Sequence, residues 1–266
     1  MEAAVSHFST ATSPRRIGDE SSGGGAVAEM ALVSATFVAS PLRLVEVDEV
    51  QPRERSEVIS RAFNVVVALV ALVLMAPVML LVAVAVRLTS RGPVFYSQVR
   101  VGVDRRFRSR KVSDRRAYDH GGRLFKMYKF RTMRIDAEAD GLAVWAQKSD
   151  PRATSVGKLL RKTRLDELPQ LYNVLRGDMN IVSPRPERPS IFARLRQDIP
   201  EYPQRQRVKP GITGWAQINL AYDSCVDDVR SKVRYDLEYV RQQSLGHDLR
   251  IMSLTLPVML FRRGGW

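Results

Sequence analysis

Residues 161 to 189 read RKTRLDELPQLYNVLRGDMNIVSPRPERP and set two adjacent carboxylates, Asp166 and Glu167, among cations. Arg161, Lys162 and Arg164 precede the pair, Arg176 follows it, and Arg185 stands between two prolines. An ionised carboxylate in such company can attack an electrophile such as phosphorus, or hold a hard cation such as Mg2+. A lone acid pair is more ordinarily a helix start with surface ion pairs; the density of cations is what favours chemistry here. Leu168, Leu171, Tyr172 and Leu175 recur at helical spacing, and Gly177 is a natural stop. Pro169 costs little in a first turn, where its missing N–H would have no partner. The pattern predicts a helix starting between residues 164 and 167, with both acids in its first turn. There the helix dipole and the arginines favour both acids being ionised at neutral pH.

The elements that must position this stretch differ sharply in character. The chain has 266 residues and a formal net charge of +14. Residues 1 to 60 carry 5 basic and 9 acidic groups, so the whole positive excess lies beyond them. A body this basic expects an anionic partner: nucleic acid, anionic lipid or a phosphorylated small molecule. Residues 1–55 are rich in Ser, Gly and Ala, with prolines at 14, 41 and 52, and read as a poorly ordered extension. Residues 62 to 86, AFNVVVALVALVLMAPVMLLVAVAV, contain no charge. As a straight helix this run would be about 37 Å long, enough to cross a bilayer. Pro77 lies inside it, with Arg61 before it and Arg87 and Arg91 after. Cationic flanks prefer the cytoplasmic side, so both ends want the same face. Crossing, and bending back at Pro77, both remain open on composition.

Residues 92 to 101 suit a short strand, and residues 123 to 133, RLFKMYKFRTM, alternate apolar and basic as a strand with one wet face does. Lys126, Lys129 and Arg131 have spacings that could gather cations near one phosphate. Between the strands, residues 104–120 hold seven Arg or Lys against three Asp, a solvated loop or a contact for anionic headgroups. Helices are expected over 134–148, near 191–196 and over 227–243, and a turn with a strand over 209–220. Residues 249–263 are apolar between basic ends and too short to span, so they lie in the interface or in the core. One cysteine, Cys225, excludes an internal disulfide. His7, His120 and His247 have no metal-ligand spacing, so a metal would be held by oxygen.

Several ordered blocks occur together: the proline-interrupted apolar run, GPVFYSQVRVG, KFRTM, GKLLRKTRLDELPQLYNVLRGDMNIVSPRPE and KPGITGWAQIN. In this combination, over about residues 56 to 262, the chain resembles the bacterial sugar transferases, the monotopic polyprenyl-phosphate phosphoglycosyl transferases. The resemblance implies transfer of a sugar 1-phosphate from a nucleoside diphosphate sugar, usually a UDP-sugar, to undecaprenyl phosphate. The products would be the undecaprenyl-diphosphate sugar and UMP, the first membrane step of exopolysaccharide or glycoconjugate assembly. It further implies that Asp166 is a nucleophile carrying the phosphosugar covalently and that Glu167 helps to hold Mg2+. Arg161 and Arg185 would contact phosphate, and Lys129 and Arg131 match the family's basic strand block.

The implied fold is α+β and helix-rich. A re-entrant helix-break-helix over 56–91, broken at Pro77, would be followed by a compact cytoplasmic catalytic domain over 92–266. That domain would have a short β-hairpin and amphipathic interfacial helices, on the inner face of a bacterial cell membrane. Expected partners are UDP-sugar, undecaprenyl phosphate and membrane lipids, with no nucleic acid; a homo-oligomer is left open. Three departures stand out: Ala76 where serine is frequent before the proline, Ser183 where glycine usually precedes Pro-Arg-Pro, implying a looser backbone, and the basic insertion 104–120. A membrane-tethered basic protein that binds nucleic acid or an acidic polymer would explain charge and anchor. It would not explain an acid pair framed by Arg161 and Arg185, and no nucleic-acid motif is evident. A two-carboxylate hydrolase ranks lower, because adjacent residues of one helix do not face each other across a sugar.

Overall fold

A computed structural model describes residues 49–106, 119–135, 137, 150–220 and 226–261. Most of the N-terminal extension, most of the basic insertion, most of the helix expected over 134–148, and Cys225 and His7 lie outside the described residues. Residues 50–55 belong to the ordered body rather than to the extension. Val50 is buried among Phe192, Tyr202 and Val240. The Arg53 N–H donates to the Val240 carbonyl at 3.1 Å, and Arg55 pairs with Asp248 at 2.9 Å.

The apolar run forms one helix, α1 (Glu57–Thr89), of 33 residues, capped by the Ser56 hydroxyl. No residue drops out of the helix at Pro77, so a turn of the chain there is a bend within one helix and not an interruption between two. Proline removes one hydrogen bond, but an apolar run offers its backbone no other partners, so the remaining bonds keep the helix together. One stripe of α1 faces the rest of the chain and the others are exposed. Ahead of Pro77, Ala68 packs with Leu171 and Val174. There the Asn64 side chain accepts from the Ile181 N–H at 2.6 Å, and Arg61 donates to the Val174 and Leu175 carbonyls. Beyond Pro77, Val82 and Val86 pack with Phe130 and Leu160. The exposed side includes Val73, Leu74, Leu80 and Leu81, centred on the proline.

β1 (Phe95–Val101) and β2 (Leu124–Phe130) pair antiparallel, Phe95 opposite Phe130 and Val101 opposite Leu124, which is the expected hairpin. Then come α2 (Ser155–Thr163), a 3-10 turn at Leu165–Glu167, α3 (Gln170–Arg176), β3 (Asn180–Val182) and α4 (Pro189–Asp198). A 3-10 helix at Tyr202–Arg207 leads to β4 (Gly211–Thr213), α5 (Trp215–Asn219), α6 (Val226–Gln242) and α7 (Leu245–Phe261). β3 and β4 are parallel neighbours. In α7, Ile251 is fully buried while Leu249 is 54 % exposed, so this helix has one core face and one open face. His247 packs edge-on against Trp215.

Two close backbone approaches fix the site. Ser183 does not loosen its segment. It is fully buried, and a Cβ on Gly211 of the neighbouring strand would lie 2.2 Å from its backbone nitrogen. The room a glycine would give at 183 is given across the strand pair instead. At α2, the Thr154 N–H donates to the Thr132 carbonyl at 3.0 Å, and a Cβ on Gly157 would lie 1.9 Å from that oxygen. Gly157→Ala would gain about 1 kcal/mol of helix propensity. A rigid backbone clash typically costs about 1–3 kcal/mol or more, and this overlap is severe. The variant should therefore lower the denaturation midpoint and shift the helix that carries Arg161. A more stable variant would mean that α2 does not rest on Thr132.

Candidate active site

α2 ends at Thr163, and Arg164 turns the chain with φ 56°, the one non-glycine residue of positive φ among the described residues. Holding a residue there costs on the order of 1 kcal/mol, and such strain gathers at functional sites. The next three residues form the 3-10 turn, closed by the Leu168 N–H on the Leu165 carbonyl at 3.3 Å. The acids therefore sit in a tight turn before α3, not in its first α-helical turn. Pro169 is the reason: lacking an N–H, it cannot make the α-type bond to the Leu165 carbonyl, and the tighter bond closes instead.

The turn gives the two acids unlike environments. Glu167 is clamped by the Arg185 fork, with Nη1 on Oε2 at 3.0 Å and Nη2 on Oε1. Lys129 Nζ lies 3.3 Å from Oε1 and Arg164 Nη1 3.8 Å from it. Burial opposes ionisation of Glu167, but Arg185 and Lys129, then Arg164, outweigh it and hold the carboxyl well below its ordinary range. Asp166 is just as buried, at 6 % exposed. Among the described residues it has no hydrogen bond or ion pair. Burial pushes its carboxyl up to about 6, against the pull of Lys129 and with a further push from ionised Glu167. At neutral pH it is still mostly ionised. It is a desolvated carboxylate with no direct partner, beside one that is fully neutralised.

Both acids line a cavity of about 450 Å³ with Lys129, Arg161, Arg164 and Arg185, a size ordinary for a small-molecule site. Among the described residues, nine cationic side chains face it against three acidic ones, which selects an anionic occupant. Arg161 makes no ion pair among the described residues. Burial lowers the Lys129 pKa, with Glu167 opposing. Arg131 also lines the cavity, but its guanidinium has another task. It donates to the Arg91 carbonyl at 2.6 Å and the Ser90 carbonyl at 2.8 Å, holding the end of α1. Lys126 does not join the group: odd spacing from Lys129 puts it on the other strand face, exposed.

Sequence reasoning missed the far end of the cavity, where Arg100, Glu187 and Lys232 lie. Glu187 is 3.5 Å from Arg100 and 3.4 Å from Lys232. Arg100 and Glu187 stood inside recognised blocks, but nothing in the spacing joins them to a lysine on α6.

Among the described residues no three His, Cys, Asp or Glu side chains cluster as a metal site. Mg2+ needs fewer protein ligands, because it is commonly held by one or two carboxylates together with substrate phosphates and water. Asp166 and Glu167 supply two such carboxylates, and a cation arriving with a diphosphate would be held by Glu167 only in exchange for part of its pairing with Arg185 or Lys129.

A family model described as Bacterial sugar transferase matches residues 55–262. The UDP-N-acetylgalactosamine-undecaprenyl-phosphate N-acetylgalactosaminephosphotransferase of Aeromonas hydrophila is 40 % identical over 202 residues, covering 76 % of this chain and 44 % of that protein. The UDP-glucose:undecaprenyl-phosphate glucose-1-phosphate transferase of Escherichia coli K12 is 40 % identical over 203 residues, covering 76 % and 40 %. This chain thus spans less than half of those relatives. The Exopolysaccharide production protein PSS of Rhizobium leguminosarum bv. phaseoli is 37 % identical over 215 residues, covering 79 % of this chain and 98 % of that protein. With the acid pair, the cationic cavity and the long apolar helix in place, the match over residues 55–262 shows that the chain belongs to the bacterial sugar transferase family.

Proposed function

We propose that the protein transfers a sugar 1-phosphate from a UDP-sugar to undecaprenyl phosphate through a covalent intermediate on Asp166. The observation that carries this reading is the unequal acid pair. Glu167 is bound by three cations while Asp166, beside it, is buried with no direct partner among the described residues. An Asp166 oxygen attacks the sugar-bearing phosphorus, the bond from that phosphorus to the bridging oxygen breaks, and UMP leaves. An oxygen of undecaprenyl phosphate then attacks the same phosphorus and breaks its bond to Asp166, restoring the carboxylate. Each displacement puts charge on the phosphoryl oxygens, and Arg185, Arg161 and Lys129 are placed to spread it. Mg2+, held by Glu167 together with substrate phosphates, would neutralise the diphosphate further. The relatives named above act on undecaprenyl phosphate with UDP-sugars by their names, which supports both substrates.

Purified protein should release UMP from UDP-glucose or UDP-N-acetylgalactosamine only when Mg2+ is present, and release should end after one equivalent unless undecaprenyl phosphate is added. A linear, acceptor-independent release would instead mean hydrolysis. Nucleotide release in EDTA would remove the metal.

The membrane reading goes with this one: α1 dips into the inner leaflet and returns, leaving the catalytic body on the cytoplasmic face. A straight crossing would put the two ends of α1 on opposite sides of a core about 30 Å thick. Yet Asn64 and Arg61 on one side of Pro77, and Val82 and Val86 on the other, pack on the same body. In a variant lacking Cys225, cysteines at Glu54 and at Arg91 should both react with an impermeant maleimide in inside-out vesicles. Neither should react in right-side-out vesicles. Labelling of the two from opposite sides would establish a crossing.

A further inference from the structure

The geometry points to Arg205, paired with Asp236, as a positioning residue that sets where the Arg185 fork stands; its catalytic consequence rests on the transfer reaction proposed above. The Arg185 segment has little means of holding itself, because the prolines at 184 and 186 have no N–H to give. Four successive carbonyls are caught from elsewhere instead. Pro184 accepts from the Gly211 N–H at 2.9 Å and Glu187 from the Val101 N–H at 2.9 Å. Pro186 accepts from Arg100 at 3.2 Å. The carbonyl of Arg185 itself accepts from Arg205 Nη2 at 3.0 Å.

Arg205 is the unusual donor of the four. Its side chain is 1 % exposed, that of its partner Asp236 is 2 % exposed, and Nε meets Oδ2 at 2.6 Å. The guanidinium lies over the Tyr202 ring, 4.8 Å from its centroid. Burying such a pair is expensive, and apolar side chains of the same volume often hold a fold as well or better. Stability alone therefore gives no reason for a charged pair here. A fork does: one arm is fixed by Asp236 on α6 while another reaches the backbone of the residue that clamps Glu167. A misplacement of about 1 Å in such a group can cost about a hundredfold in rate.

Arg205→Lys keeps the charge opposite Asp236 but loses the planar fork that serves two acceptors at once. With UDP-glucose or UDP-N-acetylgalactosamine, whichever wild type uses, kcat should fall about tenfold or more while KM stays within about threefold. In an Arg185→Ala background the same change should cause no further loss of transfer, because there is no fork left to place. Additive losses would overturn the inference. If Arg205→Lys does not fold, Asp236→Asn, which keeps volume and an acceptor, should show the same non-additivity at smaller size, and additivity there is equally fatal. A second readout needs no turnover. The 15N-labelled Arg185 Nε–H, assigned by its absence in Arg185→Lys, should exchange with water at least about fivefold faster in the Arg205 or Asp236 variant. Unchanged exchange would overturn the inference even if transfer falls. A wild-type protein that transfers nothing would defeat the proposed function, and the exchange result would then decide this inference alone.

Discussion

Asp166→Asn should abolish sugar-phosphate transfer while leaving the protein folded, membrane-bound and no less stable at neutral pH. The amide keeps the shape of the carboxyl but has no anionic oxygen with which to attack phosphorus. Wild-type protein quenched rapidly after mixing with donor alone should gain the mass of one phosphosugar on the peptide containing Asp166, and the variant should gain none. Residual activity should lie at least about a thousandfold below wild type, as expected for loss of a nucleophile. The stability half follows from the site's electrostatics. The carboxyl is raised from an ordinary 3.8 to about 6 in the folded state. Between those values the unfolded chain gives up a proton that the folded one keeps. Stability contributed by this group therefore falls as pH rises through that window, and the cost is complete above about 6. In the metal-free protein, Asp166→Asn removes this cost, on the order of 3 kcal/mol at pH 7, and little of it at pH 4. A variant that transfers at near wild-type rate would end the nucleophile assignment; one destabilised at pH 7 would mean that Asp166 is paired in solution.

Arg185→Ala is the second large effect, and it should lower both activity and stability. Glu167 would lose the fork that binds both of its oxygens, leaving Lys129 and Arg164 to hold a buried charge. Its carboxyl, now below the ordinary range chiefly because Arg185 and Lys129 outweigh burial, should rise. Removing one partner of a fully buried pair costs about 3–5 kcal/mol. The Arg185 side chain is 20 % exposed and Lys129 remains, so about 2 kcal/mol is the better expectation. The loss of phosphate charge stabilisation should lower kcat by about a hundredfold to a thousandfold. Arg185→Lys separates the two parts, because an ammonium restores charge but not two parallel hydrogen bonds. It should recover most of the melting temperature and little of the rate. Arg185→Ala turning over within threefold of wild type would show that the fork serves Glu167 alone.

What could be read from the sequence was whatever is encoded locally. An uncharged run of 25 residues has one economical fate, a long apolar helix, and α1 is that helix. Alternation over 123–133 marked one strand, because side chains of a strand alternate faces whatever packs on them, the Gly-Pro turn that opens 92–101 marked another, and β2 and β1 are those strands. Amphipathic spacing on Val229, Val233, Leu237 and Val240 marked α6. The adjacency of Asp166 and Glu167, and the crowd of cations around them, are properties of the chain and need no fold. Recognition of the family rested on these same short ordered blocks.

Which cation meets which acid was not local. Lys129, Glu167, Arg185 and Arg205 come from β2, a 3-10 turn, a proline-flanked segment and another 3-10 helix, and no spacing rule links them. Arg131 and Lys129 are two residues apart and look alike in sequence. Only packing turns one toward Glu167 and spends the other on the end of α1. The tight turn at Asp166 depends on a left-handed Arg164, which no propensity would suggest, since glycine or asparagine is the usual choice there. The tightness at Ser183 depends on a glycine nearly thirty residues further along. Sequence alone determined which groups are present and where the long apolar helix, the two hairpin strands and α6 lie. Tertiary structure alone decided that Glu167 is neutralised and that Asp166 has no partner among the described residues, because desolvation and ion pairing depend on distance in space, which chain order does not fix.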